Sequence, residues 1–544
     1  MRALAITLSF AVGLLSLSQE IVWVRIVALG QQARPQAFAL VLAVFLVGIA
    51  LGAAFGRRLC QRCASDGPRL LRQGGALLLA AAALDLLALW LCAAGLAATS
   101  GSASLLGALL LLCGACAAAK GTLFPIVHHL GSVAEAGRVG RSVSRVYLAN
   151  VLGSTLGPVL TGFVLMDRLG LEQVFALVAG ATAALGALAL WRGGMAAAGQ
   201  GWRPLLPAAA TLALLVASGQ ALVEPPAVAQ RIAGEVLDAA GRSNLRHLIQ
   251  NRHGVIHVLA EDRPGSGDIT YGGNAYDGRI STDLRINANG LDRAYALAAL
   301  HPAPRRVLVV GLSTGAWTAV ILGLPGVEQV DVVEINPGYL ELIGRYPQVA
   351  PLLRDPRVRV HVDDGRRWLR AHPQTRYDLV FQNTTWHWRA NISLLLSRDY
   401  LQQLRSHLAP GGMVAINTTG SADVFHTAAQ VFAQVGRRKN FAYLSDVPLQ
   451  PRPDAEAVLR AARLWQQPAF DEAAFAPGGL AHELARQPLQ PAADLLRQAA
   501  RQRPPLGITD LSPVNEYRHG AAPPWEALHG LLPAGSGPWQ APPP

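Results

Sequence analysis

Long apolar runs fill the first 225 positions of the chain, and shorter apolar stretches alternate with polar ones over the remainder. Seven of the long runs reach the roughly 20 residues that a helix needs to cross the hydrocarbon core of a bilayer. The first run is too long for a removable signal peptide, and no small-residue cleavage site follows it. The pattern therefore predicts seven membrane-spanning helices. They fall near residues 4–29, 36–55, 74–97, 104–126, 146–166, 170–191 and 204–223.

After residue 225 the apolar stretches shorten to strand length. RHLIQNRHGVIHVLAE and DITYGGNAYDGRIS predict a small antiparallel β region. From Arg306 the order becomes strand, glycine turn, helix and strand, in VLVV, GLSTG, AWTAVILGL and VDVVEI. VRVHV, YDLVF and GGMVAIN predict three further strands. This order predicts an α/β Rossmann-like domain of the class I S-adenosylmethionine methyltransferase type, preceded by a multi-pass α-helical membrane domain.

The net charge is +12, and nearly all basic residues are arginines. They are spread along the chain, and many lie between apolar runs, so we assign them to membrane topology and not to a nucleic-acid surface. The segment RRLCQRCASDGPRLLRQ and the segment with Arg138, Arg141 and Arg145 are predicted as basic cytoplasmic loops, whereas LAATSGSAS carries no charge. The N-terminus is then cytoplasmic, and seven spans place the C-terminal half outside.

Four ionisable residues lie within or near the predicted spans: Glu20, Arg25, Asp85 and Lys120. Burying such groups unpaired in hydrocarbon is costly, so they indicate transport or ligand binding unless they pair with one another or extend to the membrane surface. All five cysteines lie in this half, and their two CxxC pairs have no neighbouring histidine cluster. We therefore predict no metal site.

The GLSTG turn is a candidate nucleoside site, with Gly311, Ser313 and Gly315 on it. Glycine lets the backbone approach a ligand closely, and the start of the following helix supplies free N–H groups. Glu334 ends the next strand, where an acid can accept hydrogen bonds from both ribose hydroxyls. The alternative is a tight turn with a helix cap in an unrelated α/β domain.

Composition and pattern divide the chain into four predicted parts. They are a transmembrane helical domain (1–224), a linker with the small β region (225–290), a Rossmann-like nucleoside-binding domain (291–447) and a C-terminal helical appendage with a loose tail (448–544). The tail ends in GSGPWQAPPP, which is typical of segments without a core of their own.

Several motifs resemble the polyamine aminopropyltransferase (spermidine synthase) family over roughly 245–420. YDGRIS is similar to the family's LDG-x-x-Q stretch, VVEIN to its acidic strand end, and DPRVRVHVDDG to its adenine-site segment. EIVWVR with LVGIALG resembles the membrane region of the membrane-fused subgroup. Ser281 stands where the family has Gln.

The resemblance implies roles for residues on these motifs. Glu334 would hold the ribose of decarboxylated S-adenosylmethionine, or of S-adenosylmethionine, and Asp364 with Gly365 would hold the adenine end. Tyr276 and Asp277 would contact the substrate. The resemblance implies no metal ion.

The family's catalytic D-S-S-D-P segment aligns on NTTWHW, without its acids. Asn383 takes the place of the acid that receives the amine proton, and Trp386 that of the acid that grips the diamine. Neutral Asn383 can orient a substrate, His387 can accept a proton near neutral pH, and Trp386 with Trp388 can hold a cation over their faces. The alternative is a packed aromatic lid in which His387 is only a hydrogen-bond partner.

ITDLSPVNEY resembles an element of the fused subgroup in which Asp510 or Glu516 would restore a carboxylate over the crevice, and a charged surface turn is the alternative. Three functions remain open. The first is a membrane-anchored, spermidine synthase-like aminopropyltransferase of polyamine biosynthesis. The second is an S-adenosylmethionine-dependent methyltransferase. The third is a non-catalytic nucleoside-binding domain that regulates a membrane bundle.

The expected partners are a small-molecule amine or other nucleophile and the lipid bilayer, without nucleic acid, and a homodimer is compatible with the sequence. We predict a multi-pass protein of the cell (inner) membrane. Because the expected cosubstrate is cytoplasmic, we assign the C-terminal domain to the cytoplasm, against the helix count.

Overall fold

The computed structural model describes residues 2–63, 66–95, 103–132, 139–196, 205–223, 230, 244–301 and 303–518. Its first half is a bundle of long helices. They are α1 (Arg2–Gly30), α2 (Pro35–Arg62), α3 (Gly67–Gly95), α4 (Ala103–Gly121), α5 (Leu123–Gly131), α6 (Val139–Phe163), α7 (Leu171–Met195) and α8 (Leu205–Val223). The predicted linker before residue 244 and the predicted tail after residue 518 lie outside the described residues, except for residue 230.

Seven helical segments of the described chain are long and apolar enough to cross a membrane, as the sequence predicted. The fourth joins α4 and α5 across a break at Thr122. Large apolar side chains are exposed on the outside of the bundle, among them Leu51, Leu111 and Phe163. The predicted basic loop after the second helix is shorter than expected, because α2 continues through its arginines to Arg62 and α3 begins at Gly67.

A buried ion pair joins two helices in the bundle. The ammonium group of Lys120 donates a hydrogen bond to Asp85 at 2.9 Å, and both side chains are at most 2% exposed. These two ionisable residues therefore pair with each other, as one of the two sequence interpretations required.

Replacing Lys120 with Met is expected to lower the free energy of unfolding by about 3–5 kcal/mol, because the Asp85 carboxylate then stays buried without its partner. Thermal unfolding of the purified protein in detergent, followed by tryptophan fluorescence, measures the loss. The double variant Lys120→Met/Asp85→Leu is the control, and it should recover most of the stability. A single variant as stable as the original chain would contradict this account.

The second half begins with a four-stranded antiparallel sheet in the order β1-β2-β3-β4, followed by a larger mixed sheet. The strands are β1 (Leu245–Asn251), β2 (Gly254–Leu259), β3 (Asp268–Gly272), β4 (Ala275–Ile280), β5 (Arg306–Val310), β6 (Gln329–Glu334), β7 (Val358–Val362), β8 (Tyr377–Gln382), β9 (Leu408–Asn417), β10 (Gln434–Arg438), β11 (Phe441–Ser445), β12 (Arg463–Leu464), β13 (Gln467–Pro468) and β14 (Gln490–Pro491). Helices between them are α9 (Asp292–Leu300), α10 (Ala316–Leu322), α11 (Gly338–Gly344), α12 (Gly365–Ala371), α13 (Arg398–Ser406), α14 (Ala422–Ala429), α15 (Ala455–Ala461), α16 (Leu480–Arg486), α17 (Ala492–Gln502) and α18 (Val514–Arg518).

The large sheet has the order β14-β10-β11-β9-β8-β5-β6-β7. Strands β7, β6, β5, β8 and β9 run parallel, and β11 is antiparallel to β9. The central strands β5, β6 and β8 are buried on both faces, which explains why they appear as continuous apolar runs in the sequence, whereas the edge strand β7 is partly exposed. The strand order reverses between β5 and β8, so the crevice at their carboxyl ends is the expected ligand position. The predicted Rossmann-like fold is confirmed.

The segment after residue 448 packs into the same core as the sheet. Ala455 and Leu459 of α15 and Leu484 of α16 are buried in one cluster with Val307 and Val309 of β5. The edge strand β14 pairs with β10. This segment therefore completes the α/β domain over the residues that the structure describes.

The loops at one end of the bundle dock against the second half of the chain. Arg252 pairs with Asp167 at 3.2 Å, and the backbone N–H of Leu171 donates to the side chain of Gln250 at 2.9 Å. The backbone N–H of Ala390 donates to the carbonyl of Ala33, also at 2.9 Å. The carboxyl ends of the parallel strands consequently face this end of the bundle.

Candidate functional site

A cavity of about 310 Å³ lies where the two halves of the chain meet. One wall consists of the carboxyl ends of β5, β6 and β8 together with β2 and β4. The other wall comes from the last turns of α1 and from the connection between α6 and α7. Its volume falls at the small end of the range for small-molecule sites. The residues that line the cavity include Arg25, Leu29, Met166, Asp277, Gly311, Ser313, Glu334, Tyr339, Asn383 and Arg389.

The turn after β5 brings the backbone against the strand end of β8. Gly311 has a φ of 85°, and a Cβ at this position would lie 3.1 Å from the carbonyl oxygen of Asn383. A side chain here would therefore be strained and crowded, which is why the position needs glycine. The cavity wall is bare backbone at this point.

Glu334 ends β6 and projects into the cavity with only 4% of its surface exposed. Its Oε2 accepts a hydrogen bond from the backbone N–H of Leu312, and its Oε1 accepts one from that of Asn336, both at 2.7 Å. Burial raises the pKa of Glu334 to about 7, although these two hydrogen bonds oppose the shift. These two hydrogen bonds hold the carboxyl group in a fixed orientation at the end of β6.

The raised pKa of Glu334 gives two pH effects of opposite sign. In the free protein the proton is bound more tightly in the folded state, so this group stabilises the fold below pH 4.5 and loses that contribution as the pH rises through about 7. Nucleoside binding needs the ionised form, which accepts hydroxyl hydrogen bonds more strongly. Affinity for methylthioadenosine is therefore expected to fall by up to about tenfold for each pH unit below 7.

Calorimetric titration of the full chain between pH 5.5 and 8.5 measures this dependence. Glu334→Gln is the control, because an amide does not ionise, and its weaker affinity should be independent of pH. An equally steep profile in that variant would assign the titration to another group.

A second acid, Asp277 on β4, lines the same cavity. Its Oδ2 accepts a short hydrogen bond from the hydroxyl of Tyr339, and its backbone carbonyl accepts one from Ser313 Oγ at 2.7 Å. Burial raises the pKa of Asp277, while Tyr339 and the nearby guanidinium of Arg389 oppose that shift. The Asp277 carboxyl group therefore accepts a proton more readily than an exposed aspartate does.

Asn383 also lines the cavity, at the end of β8. Its Oδ1 accepts from the amide of Asn417 at 2.9 Å, and Asn417 in turn accepts from Asn440 at 2.7 Å. This chain of amides orients Asn383 and leaves its own amide nitrogen to act as a donor. Within the described part of the chain, no group of three His, Cys, Asp or Glu side chains is arranged to hold a metal ion.

The aromatic stretch after β8 lies beside the cavity and does not line it. His387 Nδ1 is 2.7 Å from the hydroxyl of Thr419, and Trp386 donates its indole N–H to the carbonyl of Tyr276 at 2.9 Å. Trp388 is buried, with the guanidinium of Arg34 over its ring at 5.3 Å. These contacts match the packed-lid interpretation better than the amine-site interpretation.

The remaining predicted residues serve the scaffold around the cavity. Asp364 caps α12 by accepting from the backbone N–H of Arg367 at 2.8 Å, and Gly365 packs against Val310. Gly315 has a φ of 76° and lies against Ile343. Tyr276 and Asp510 also lie outside the cavity lining.

Asp510 forms two hydrogen bonds of 2.7 Å with the guanidinium of Arg366 and accepts a third from Ser397 at 2.6 Å. These partners hold the pKa of Asp510 below its usual value. Glu516 accepts backbone hydrogen bonds from Asn391 and Ser393. Both acids fasten the C-terminal segment to the domain, and neither supplies the cavity with a carboxylate.

Two arginines line the cavity: Arg389 was not predicted, and Arg25 was noted only as an ionisable residue of the first predicted span. Arg389 donates to Thr385 Oγ1 at 2.6 Å, and the deep placement of its guanidinium lowers its pKa. Arg25 donates to the carbonyl of Arg252 from the bundle side. The sequence signal for Arg389 was a charged residue just beyond a strand end. The signal for Arg25 was an ionisable residue inside an apolar run.

The fold defines a class I Rossmann-like domain with a crevice at the carboxyl ends of its parallel strands. Residues 296–448 match the spermine/spermidine synthase domain family. Polyamine aminopropyltransferase 2 of Streptomyces coelicolor is 30% identical over 293 residues, which is 51% of this chain and 49% of the relative. The polyamine aminopropyltransferase of Mycobacterium tuberculosis is 26% identical over 297 residues, 53% of each chain. The chain thus matches about half the length of these relatives.

A solved spermidine synthase in complex with the transition-state analogue AdoDATO has a TM-score of 0.34 and 17% identity, over 39% of this chain and 76% of that one. The family match and the curated relatives confirm the resemblance seen in the sequence motifs. Residues 296–448 are therefore similar to the spermine/spermidine synthase domain family, as the sequence motifs predicted.

Proposed function

We propose that the protein is a membrane-embedded aminopropyltransferase that uses decarboxylated S-adenosylmethionine as its cosubstrate. The observation that carries the proposal is the pair of buried carboxyl groups, Glu334 and Asp277, that line one cavity. In this proposal Glu334 binds the ribose, beside the bare backbone at Gly311, and Asp277 faces the incoming nucleophile. Asn383, which stands where the family has an acid, supplies an amide to orient the substrate.

In this proposal Asp277 is the group that accepts the proton of the acceptor amine. The acceptor amine must be neutral to attack the propyl carbon next to the sulfonium sulfur, so a carboxylate beside it raises the rate. His387, the acceptor expected from the sequence, lies outside the cavity lining and is bonded to Thr419. Tyr339 holds the Asp277 carboxyl in position through its hydroxyl.

Calorimetry on the full chain tests the cosubstrate. Decarboxylated S-adenosylmethionine, S-adenosylmethionine and methylthioadenosine are titrated in parallel, and release of methylthioadenosine is followed in the presence of amine acceptors. Tighter binding of the decarboxylated form and its turnover support the proposal. Failure of all three ligands to bind a folded protein would overturn it.

Methyl transfer from S-adenosylmethionine is the second candidate, and Arg389 is the observation that favours it. A guanidinium in the cavity can pair with the methionine carboxylate, which the decarboxylated form lacks. Tighter binding of S-adenosylmethionine, lost in Arg389→Met, would establish this candidate.

The seven apolar helices and their exposed apolar surface support a location in the cell (inner) membrane. Arg57, Arg58 and Arg62 lie at the end of the bundle opposite the cavity, while Arg25 and Arg34 lie near it. The arginine distribution alone would put the synthase domain outside the cytoplasm. The arginine distribution only biases the orientation of the helices, whereas turnover requires the cosubstrate, which is cytoplasmic. We therefore assign the domain to the cytoplasm.

Reporter fusions at the C-terminus check the assignment. Green fluorescent protein should fluoresce and alkaline phosphatase should be inactive. The same reporters fused after residue 132 and after residue 168 provide the internal control. One candidate span, Val143–Asp167, separates these two positions, so they should lie on opposite sides of the membrane. Active phosphatase at the C-terminus would place the domain outside and remove the cytoplasmic cosubstrate from consideration.

A further inference from the structure

The bundle supplies one entire wall of the cavity. Ala28 and Leu29 lie in the last turns of α1, and Met166 and Leu171 lie where the chain passes from α6 to α7. These helix ends mark the depth at which the bundle leaves the hydrocarbon of a bilayer. The cavity therefore lies at the level of lipid headgroups, with apolar side chains on the wall that the bundle supplies.

The charges in the cavity do not suit a polyamine. A polyamine carries two or more positive charges, and its binding requires negative groups along its length. Here the guanidinium groups of Arg25 and Arg389 face the same space as the acids Asp277 and Glu334. Since Glu334 is placed for the ribose, the remaining space offers two cations and one carboxyl group.

That combination is complementary to a zwitterion with an amine beside an anion. A guanidinium pairs with phosphate through two hydrogen bonds, and a carboxylate holds the ammonium group. The apolar side chains of Leu29 and Met166 then lie where such a molecule would continue into hydrocarbon.

We propose that the acceptor is a bilayer phospholipid of the phosphatidylethanolamine type, which carries a primary amine in its headgroup. This inference rests on the proposed aminopropyl transfer. Arg25 and Arg389 bind its phosphate, Asp277 binds its amine, and the bundle wall receives its glycerol end. The lipid reaches the cavity without leaving the membrane surface.

The step conserves atoms and charge. Asp277 takes a proton from the lipid ammonium group, and the freed nitrogen lone pair forms a bond to the propyl carbon attached to sulfur. The carbon–sulfur bond breaks, and its electron pair remains on sulfur as neutral methylthioadenosine. The product is an N-(3-aminopropyl) headgroup.

The test uses the full chain reconstituted in vesicles of phosphatidylethanolamine with phosphatidylglycerol, supplied with decarboxylated S-adenosylmethionine. Mass spectrometry of the lipid is expected to detect the added aminopropyl group, in step with methylthioadenosine release. Vesicles of phosphatidylcholine with phosphatidylglycerol should give neither, because the choline nitrogen has no lone pair. Equal transfer to water-soluble glycerophosphoethanolamine would overturn the bilayer as the source.

A matched pair of arginine variants tests the anion site. Arg25→Met is expected to raise the KM for phosphatidylethanolamine about 10- to 100-fold, because the phosphate loses charged hydrogen bonds. The affinity for decarboxylated S-adenosylmethionine should stay unchanged. Arg34→Met removes an arginine from the same end of the bundle, outside the cavity, and should leave both values unchanged. Equal effects of the two variants would overturn the assignment.

Ala28→Phe provides a second variant in case Arg25→Met folds poorly. The larger side chain narrows the bundle end of the cavity, so lipid transfer should fall at least tenfold while methylthioadenosine still binds at the Glu334 end. Binding of the decarboxylated cosubstrate with transfer only to soluble diamines would overturn the lipid proposal and leave the proposed function standing. Failure of the cosubstrate to bind would remove both.

Discussion

Asp277→Asn is expected to lower kcat for aminopropyl transfer by about 10²- to 10⁴-fold, the usual contribution of a positioned general base. The variant keeps the size of the side chain and can still accept the hydrogen bond from Tyr339. What it loses is the capacity to take the proton of the acceptor amine. The affinity for methylthioadenosine should therefore stay the same while kcat falls.

Initial rates of methylthioadenosine release, with calorimetric affinities for the same ligand, separate these two quantities. Asp283→Asn is the matched control, since Asp283 lies in the same part of the chain and pairs with Arg285 outside the cavity. An unchanged kcat in Asp277→Asn would assign proton removal to another group or to water.

Glu334→Ala is expected to weaken methylthioadenosine binding about 100-fold or more, through loss of charged hydrogen bonds to the two ribose hydroxyls. It should also destabilise the domain, because the backbone N–H groups of Leu312 and Asn336 lose their acceptor. Each buried donor left without a partner costs about 1–3 kcal/mol.

Calorimetry measures the first effect, and thermal unfolding without ligand measures the second. Glu328→Ala is the control, because Glu328 is an exposed acid that pairs with Arg305 at 2.7 Å at the other end of the same strand region. If Glu334→Ala bound the nucleoside normally, the crevice at the end of β6 would not be the ribose site.

In the helical half, the apolar pattern alone was enough to predict the long helices. Run length predicted all seven helical segments, because a membrane span needs only continuous apolar sequence and helical backbone. Their ends were less predictable, since arginine is a good helix former and α2 continues through its basic residues to Arg62.

In the α/β half, too, local elements could be predicted and contacts between distant segments could not. Strand, turn and helix follow from local patterns, and so do Gly311 and Glu334, whose positions at strand ends depend on a few neighbouring residues. The placement of the aromatic stretch did not follow. Trp388 is covered by Arg34 of the bundle, and His387 is bonded to Thr419, so both partners are distant in the sequence.

The two halves of this protein, the succession of its strands along the chain and the acid at the end of β6 could all be predicted from the sequence, because periodicity and turn chemistry are local properties. Which residues share the cavity became clear from the packing of the whole chain. It joined Arg25 and Leu29 of the first helix to Asp277 and Arg389, and it assigned Asp364 and Asp510 to capping and ion pairing. The reason is physical: contacts between distant segments depend on how whole helices and sheets pack, and no local pattern records that packing.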